Sequence, residues 1–321
     1  MKVRTALLLV AIVGIGVGGF VLFSRQSAKP LIPSPNGYDN YLTAAKNLIA
    51  ANADSSATNF DALRRNIAEN QDALRQVRKG LEFRCEIPVV AFGNGLPSEL
   101  SSFKGLSQIL RTEGDLALSE GRTRDAAKSY LDGIRFGQEV SRGVLIYNLV
   151  GIAIEYNAIT YLAKCKAKLS QADRQFVLDH LSILATNREP FSTVSERERI
   201  FMRVSQKSLL QTVAWPYLWY KMRPALQKAE DKGLQNSARI ELLRADLALE
   251  RFKETNHRWP TTLAELKLVP PPIDPFGPDN ALLSYFLKGT EYELYSIGPD
   301  RKDDGGNATK DITIESKFLS R

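Results

Sequence analysis

Residues 256–266, Asn-His-Arg-Trp-Pro-Thr-Thr-Leu-Ala-Glu-Leu, mark the point at which the chain changes from helices to a mixed architecture. Before this stretch, apolar residues recur at helical spacing from Ile240 onward and predict one long amphipathic helix. Pro260 cannot continue that helix, and Thr262 with Glu265 has the spacing of a capping box that begins a short second one. The stretch therefore separates a helical region from a different C-terminal module.

Short strands are predicted on the C-terminal side of this boundary. A proline-rich connection containing Asp274-Pro-Phe-Gly277 leads to two segments rich in aromatic and apolar residues, 282–288 and 291–297. Gly289 lies between them, which favours a β-hairpin, and a third strand is expected at 312–315. The sequence predicts a mostly α protein that ends in an α+β domain.

Four motifs follow one another along this module. They are Asn256-His-Arg-Trp-Pro-Thr-Thr262, Asp274-Pro-Phe-Gly277, Tyr292-Glu-Leu-Tyr-Ser-Ile-Gly298 with Asp300, and Asp311-Ile312. Their combination, in this order, resembles the C-terminal half of the major pseudopilin of type II secretion systems. The resemblance covers residues 237–315 and implies an exported domain in which the long helix packs on a small antiparallel sheet.

The resemblance also implies a calcium-binding loop after the second strand. Carboxylates and backbone carbonyls on a Gly-rich segment suit a hard cation, and residues 290–315 contain seven acids against three bases. The sequence departs from the family at Lys310, where a cation replaces a usual ligand, so a solvated turn without metal is the alternative. The candidate ligands are Ile297, Asp300, Asp303, Asp304 and Asp311.

The N-terminus predicts a membrane anchor. The uncharged run from Ala6 to Phe23 would form a helix of about 27 Å, close to the ~30 Å thickness of the hydrocarbon core. Lys2 and Arg4 favour a cytoplasmic N-terminus, which would place the bulk of the chain outside the cytoplasm, on the periplasmic side of the inner membrane. A cleaved signal peptide is the alternative.

Four regions follow from these observations, although the N-terminus differs from that of a pseudopilin. Met1 to Thr5 is too short for a prepilin leader, and the apolar run contains no acid, so polymerisation by the family's route is not expected. The predicted regions are an anchor at 1–25, a proline-rich linker at 26–37, an all-helical body at 38–235 and the pseudopilin-like domain at 236–321.

Apolar periodicity predicts the helices of the body, and Ser170 with Asp173 and Ser195 with Glu198 are candidate helix starts. The spacing of Gly114, Ala126, Tyr130 and Gly133 resembles a single tetratricopeptide unit, with an ordinary helical hairpin as the alternative. The predicted buried faces are Tyr41, Ala45, Leu48 and Ile49; Leu63, Ile67, Leu74 and Val77; and Phe103, Leu106, Ile109 and Leu110.

One basic segment combines positive charge with aromatic residues. Residues 199–228 contain six Lys or Arg and no acid, and the apolar part, 209–220, is too short to span a bilayer. Such a segment suits a membrane interface, whereas a core helix with packed aromatic rings is the alternative. The candidate interfacial residues are Trp215, Tyr217, Trp219 and Tyr220.

Composition narrows the class of protein. A hydrophobic share of 44%, a charged share of 25% and a net charge of +7 are those of a globular protein, which excludes collagen-like and disordered chains. Because only the N-terminal run reads as a membrane span, a polytopic membrane protein is not expected. Cys85 and Cys165 are interpreted either as a disulfide or as two buried thiols.

The sequence favours an interaction protein over an enzyme. It contains no GxSxG, GxxxxGK[ST], HExxH or CxxC motif, and His180 is expected to be structural. We therefore expect a non-enzymatic scaffold that binds the lipid bilayer and envelope proteins, including secretion components, and that does not bind nucleic acid. The alternative is an envelope hydrolase or polymer-binding module that uses carboxylates in a helical cleft.

Overall fold

The structure, a computed structural model, describes residues 32–49, 60–92, 95–205 and 209–314. These residues are mostly helical, with a three-stranded antiparallel sheet near the C-terminus, which confirms the predicted class. The described residues from Pro35 onward form one compact unit. The predicted anchor from Ala6 to Phe23 lies outside the described residues.

The described helices and strands are α1 (Gly37–Asn47), α2 (Phe60–Glu69), α3 (Gln71–Leu81), α4 (Glu99–Ser119), α5 (Thr123–Val140), α6 (Leu145–Cys165), α7 (Gln171–Thr186), α8 (Phe191–Val204), α9 (Leu209–Asn256), β1 (Ser284–Lys288), β2 (Glu291–Ser296) and β3 (Ile312–Thr313). Short 3₁₀ turns lie at Lys166–Lys168, Leu263–Leu266 and Pro278–Asn280.

The first core of the body is aromatic at its centre. The rings of Tyr41, Phe103 and Phe136 are fully buried, and the Tyr41 and Phe136 rings meet edge to face with centroids 5.0 Å apart. This core joins α1, α3, α4, α5 and α6. Such edge-to-face pairs add to the burial of the rings themselves, so the aromatic cluster fixes how the helices meet.

The predicted faces are largely confirmed. The α4 face of Phe103, Leu106, Ile109 and Leu110 is buried, and so is the set that runs from Leu63 to Val77. That set lies on two helices, α2 and α3, which are separated at Asn70. Ile49 is the exception in the first set, since it lies beyond the end of α1 and is 52% exposed.

Helix α6 is apolar on all sides because it lies inside the body. Segment Leu145–Lys168 is long and apolar enough to cross a membrane by length and composition, so the expectation of a single such stretch is wrong. Most of its apolar window, 61%, is buried within the protein. A Cβ added at Gly151 would lie 2.4 Å from the Gly137 carbonyl oxygen of α5, so glycine is required where these two helices touch.

Helices α4 and α5 form the hairpin that the tetratricopeptide-like spacing predicts. Gly114 leaves room for the Tyr130 ring, since a Cβ at Gly114 would lie 2.4 Å from it. The Tyr130 hydroxyl donates to Asp115 Oδ1 at 2.7 Å. This contact fits a tetratricopeptide unit and an ordinary hairpin equally well.

The cysteines and the helix caps complete the body. Cys85 and Cys165 are both free and buried, and they lie in different cores, as the buried-thiol alternative expects. The predicted cap at Ser170 is confirmed, because its hydroxyl accepts the Asp173 N–H. The predicted start at Ser195 is wrong, since α8 begins four residues earlier, after Pro190.

Helix α9 is longer than predicted and contacts both the helical body and the C-terminal module. It runs continuously past residue 235, where the sequence places the domain boundary, and that boundary stays a prediction. Ile240, Leu243 and Leu247 pack into the second core of the body. Leu242 and Leu249, on another face of the same helix, pack into the core of the C-terminal module.

The C-terminal sheet confirms the predicted hairpin. β1 pairs with β2 from Ser284↔Tyr295 to Lys288↔Glu291, and Gly289, with φ +63°, lies in the connecting turn. β2 also pairs with β3, so β1 lies at one edge of the sheet. The capping contact before it is shifted by one residue, because Glu265 accepts from the N–H and hydroxyl of Thr261 rather than from Thr262.

Candidate functional site

The candidate calcium loop closes on itself between β2 and β3. A Cβ at Gly298 would lie 2.3 Å from the Lys310 carbonyl oxygen, so the two ends of the loop touch through their backbones. Gly298, Gly305 and Gly306 have φ between +71° and +78°, a region that disfavours other residues. The contact between Gly298 and Lys310 therefore brings their chain neighbours, Ile297 and Asp311, to the same end of the loop.

The carboxylates of the loop bind its own backbone. Asp303 Oδ1 accepts from the Gly305 N–H at 3.0 Å and from the Tyr295 hydroxyl at 2.8 Å. Asp300 Oδ1 accepts from the Lys302 N–H at 3.1 Å, and Asp311 Oδ2 from the Asn307 N–H at 2.9 Å. Burial, together with Asp303, raises the pKa of Tyr295 to about 12. These contacts make the acids part of the loop's framework.

Lys310 places a positive charge among these acids. Its Nζ lies 2.8 Å from Asp304 Oδ1, and the bond to Asp304, with the nearby charges of Asp300 and Asp311, raises the pKa of Lys310. Asp304 Oδ2 and Asp311 Oδ1 are buried and accept no hydrogen bond within the described residues.

Lys310 opposes the binding of a calcium ion in this loop. Across the described ranges, no group of three or more His, Cys, Asp or Glu side chains is arranged to hold a metal. Calcium prefers six to eight oxygen ligands, and an ammonium bonded to one of the acids repels it. The calcium site therefore stays a prediction that depends on Lys310.

We expect Lys310→Ala to make the loop responsive to calcium. The substitution removes the ammonium and leaves Asp304 and Asp311 with unpaired oxygens, so saturating calcium should raise the melting temperature by about 2–4 °C relative to EDTA. The unsubstituted chain should have the same melting temperature in calcium and in EDTA. The measurement is thermal unfolding with calcium, magnesium or EDTA.

Lys302→Ala is the matched control, because Lys302 is an exposed lysine of the same loop that contributes only its backbone N–H to Asp300. A calcium-dependent shift of the unsubstituted chain that equals the shift of Lys310→Ala would show that Lys310 does not occupy the cation position.

The candidate interfacial residues are divided between two faces of α9. Trp219 is half-buried and packs in a small cluster with Leu145 and Leu226 of the body. Tyr217 and Tyr220 point outward and are 60% and 65% exposed. The Trp215 side chain lies outside what the structure describes. The packed alternative therefore fits Trp219, and the interfacial one fits the two tyrosines.

Acidic side chains elsewhere in the body are paired around shared cations. Arg78 contacts both Glu113 and Asp132, and Lys166 contacts both Asp246 and Glu250. A carboxylate pair for hydrolysis needs one protonated and one ionised acid that are open to substrate. Each of these acids is bound to a cation that it shares with a second acid, so these pairs suit structural roles.

Two further titratable groups have structural partners. Burial raises the pKa of Glu241 to about 7, but its carboxylate lies 2.6 Å from the buried Arg244 guanidinium. His180 Nδ1 lies 2.8 Å from the Phe176 carbonyl oxygen, one helical turn earlier. Neither contact includes a serine, threonine or cysteine side chain.

A groove that the sequence does not predict lies between α7, α9 and the segment after the 3₁₀ turn at Leu263–Leu266. Its volume is about 650 Å³, its walls include Asp179, Arg251 and Glu265, and Val269 at its edge is 85% exposed. These residues come from three separate parts of the chain, so periodicity and motif spacing carry no signal for the groove.

Comparison with known proteins identifies no relative. Neither the protein-family models, nor the curated proteins, nor the solved structures contain a match to this chain.

Proposed function

We propose that this chain is a membrane-anchored, extracytoplasmic interaction protein that holds a pseudopilin-like module on a helical body. The module would contact a secretion or pilus-type machine of the cell envelope. The observation that carries the proposal is the double packing of α9. A single helix that belongs to two cores fixes the module on the body, as a scaffold requires.

Helical geometry makes this double packing possible. Ile240, Leu243 and Leu247 follow the three- and four-residue spacing of one face and join the body. Leu242 and Leu249 are seven residues apart on another face and join the module, together with Phe276 and Leu294. The module therefore cannot move relative to the body without exposing one of these two apolar faces.

Polar contacts strengthen the same junction. Asp246 of α9 contacts Lys166 of the body and accepts from the Tyr292 hydroxyl of the module at 2.6 Å. Asn236 of α9 donates to Glu155 Oε2 of α6 at 2.8 Å. Because these carboxylates are buried, the loss of either would leave partners unsatisfied.

The module also offers a surface for a partner. Edge strand β1 carries Phe286 and Leu287, which are 52% and 43% exposed, and Leu282 just before it is 39% exposed. An edge strand with apolar side chains can pair with or pack on another protein. We place the contact with envelope proteins at this edge.

The proposal is tested in cells that carry the native gene. A photo-crosslinking amino acid at Phe286 should capture a secretion-system component, and a C-terminal reporter should be active only outside the cytoplasm. The matched control is Ile183 of α7, an apolar side chain that is 64% exposed on the body. A cytoplasmic C-terminus, or equal crosslinking from both positions, would contradict the proposal.

The groove between α7 and α9 supports a second candidate, a module that binds envelope polymers or hydrolyses them. Its Asp179, Arg251 and Glu265 could bind polar groups of a sugar or peptide chain. The test is binding of envelope polymer by the full chain. A loss of binding in Asp179→Ala, with binding retained when a crosslinker blocks Phe286, would favour this candidate.

A further inference from the structure

One face of α9 is exposed although it is rich in aromatic and apolar side chains. Tyr217, Leu218 and Tyr220 are 60%, 38% and 65% exposed, and the neighbouring Lys221 and Arg223 are exposed as well. We call these five residues the aromatic-basic face. Clustered exposed aromatic and apolar side chains are typical of interaction sites.

The other side of the same helix fixes this orientation. Met222, Leu226 and Ala229 pack with Trp219 against Leu145 and Leu149 of α6. These positions repeat with three- and four-residue spacing, so they form one stripe along the helix. The aromatic-basic face lies outside that stripe and cannot be buried in the same contact.

The charge around the face has one sign. Residues 199–228 contain six bases and no acid, and the Lys221 Nζ lies 5.5 Å from the centre of the Tyr217 ring. A lysine ammonium that lies over a tyrosine ring is attracted to the face of the ring and keeps its positive charge, which can attract an anion. The face therefore combines amphipathic rings with positive charge.

We infer that the aromatic-basic face rests on an anionic lipid headgroup layer. Tyrosine rings and lysine or arginine side chains occupy the boundary between headgroups and acyl chains, with the rings toward the lipid and the charges toward phosphate. This inference goes beyond the proposed function, because it concerns the body and does not depend on the module or its partner.

The length and the prolines of the segment support an interfacial position rather than a spanning one. The apolar part, 209–220, would reach only about 18 Å as a helix, well short of the hydrocarbon core. Pro216 and Pro224 lie inside α9 and are exposed. Proline lacks the N–H that would bond the carbonyl one turn earlier, and that carbonyl finds donors in the hydrated headgroup region but none in hydrocarbon.

The test uses the full chain in lipid nanodiscs of phosphatidylcholine with or without phosphatidylglycerol. Ala225→Cys carries an environment-sensitive fluorophore; Ala225 is exposed, eight residues after Tyr217 and on its side of the helix. The native Cys85 and Cys165 are buried, and treating the unsubstituted chain with the fluorophore shows how far these two cysteines are labelled. We expect a blue shift of the emission when phosphatidylglycerol is present.

Ala172→Cys is the matched control, because Ala172 is an exposed alanine near the start of α7. Its label should not respond to the lipid. Lys221→Glu with Arg223→Glu in the Ala225→Cys chain should abolish the shift, and Tyr217→Ser with Tyr220→Ser should reduce it. Equal emission from labelled Ala225→Cys in both lipids would overturn the inference, and the aromatic-basic face would then be assigned to an acidic protein partner. An equal shift at the Ala225→Cys and Ala172→Cys labels would overturn it as well.

Discussion

Asp274→Ala is expected to lower the free energy of unfolding by about 3–5 kcal/mol. The Asp274 side chain is 2% exposed and accepts three hydrogen bonds, from the Phe276 N–H at 2.9 Å, the Ser296 hydroxyl at 2.7 Å and the Ile297 N–H at 2.9 Å. Bonds to a charged group are the stronger ones, and alanine would leave the buried Phe276 and Ser296 donors and the half-buried Ile297 N–H without this acceptor. Urea unfolding of the full chain measures the loss.

Asp300→Ala is the matched control in the same module. Asp300 is exposed and accepts the Lys302 N–H, so its loss should change stability by about 0.5 kcal/mol or less. Asp274→Asn, which keeps the size of the side chain but loses its charge, should fall between the two. Equal unfolding midpoints for Asp274→Ala and Asp300→Ala would show that the Asp274 carboxylate does not hold the turn to β2.

The role of Asp274 illustrates what the sequence could and could not predict in the module. The turn residues around it and both strands of the hairpin follow from composition, and the structure places them within two residues of prediction. The bonds to Ser296 and Ile297 cross more than 20 residues of chain. No local pattern encodes such a contact, because it depends on how the connection folds back onto β2.

In the body, most of the predicted faces and the helix start at Ser170 are confirmed, whereas the starts of α8 and α9 are missed. Phe103 and Leu106 are buried as their spacing requires. The start of α9 is missed because Pro216 and Pro224 normally end helices. Both prolines lie at exposed positions of the helix, where water can satisfy the carbonyls they leave unpaired.

The candidate cation loop shows a similar division. The sequence identifies Lys310 as the departure from the family, and charge alone predicts that it opposes a metal. Its bond to Asp304, and the use of Asp303 to bind Tyr295, depend on the path of the loop backbone. Composition predicts an excess of acid here, but only the fold assigns each carboxylate its donor.

Glu155→Ala is expected to destabilise the junction of α5, α6 and α9 by about 3–5 kcal/mol. The Glu155 carboxylate is 1% exposed and accepts from Gln138 Nε2 at 3.0 Å and from Asn236 Nδ2 at 2.8 Å, and Arg188 donates to both of its oxygens. Its removal leaves a largely buried guanidinium without its counter-charge, which costs more than the pair itself contributes. The measurement is the midpoint of urea unfolding, monitored by circular dichroism.

The control is Glu196→Ala, since Glu196 and Arg199 form an ion pair in which both side chains are more than 40% exposed. Such pairs contribute less than about 1 kcal/mol, so this midpoint should stay near that of the unsubstituted chain. Combining Glu155→Ala with Arg188→Ala should recover part of the loss, because the double change removes the uncompensated charge. If the double variant were as unstable as the sum of its single changes, the loss would arise from packing around Glu155, and the role of the Glu155–Arg188 ion pair would be refuted.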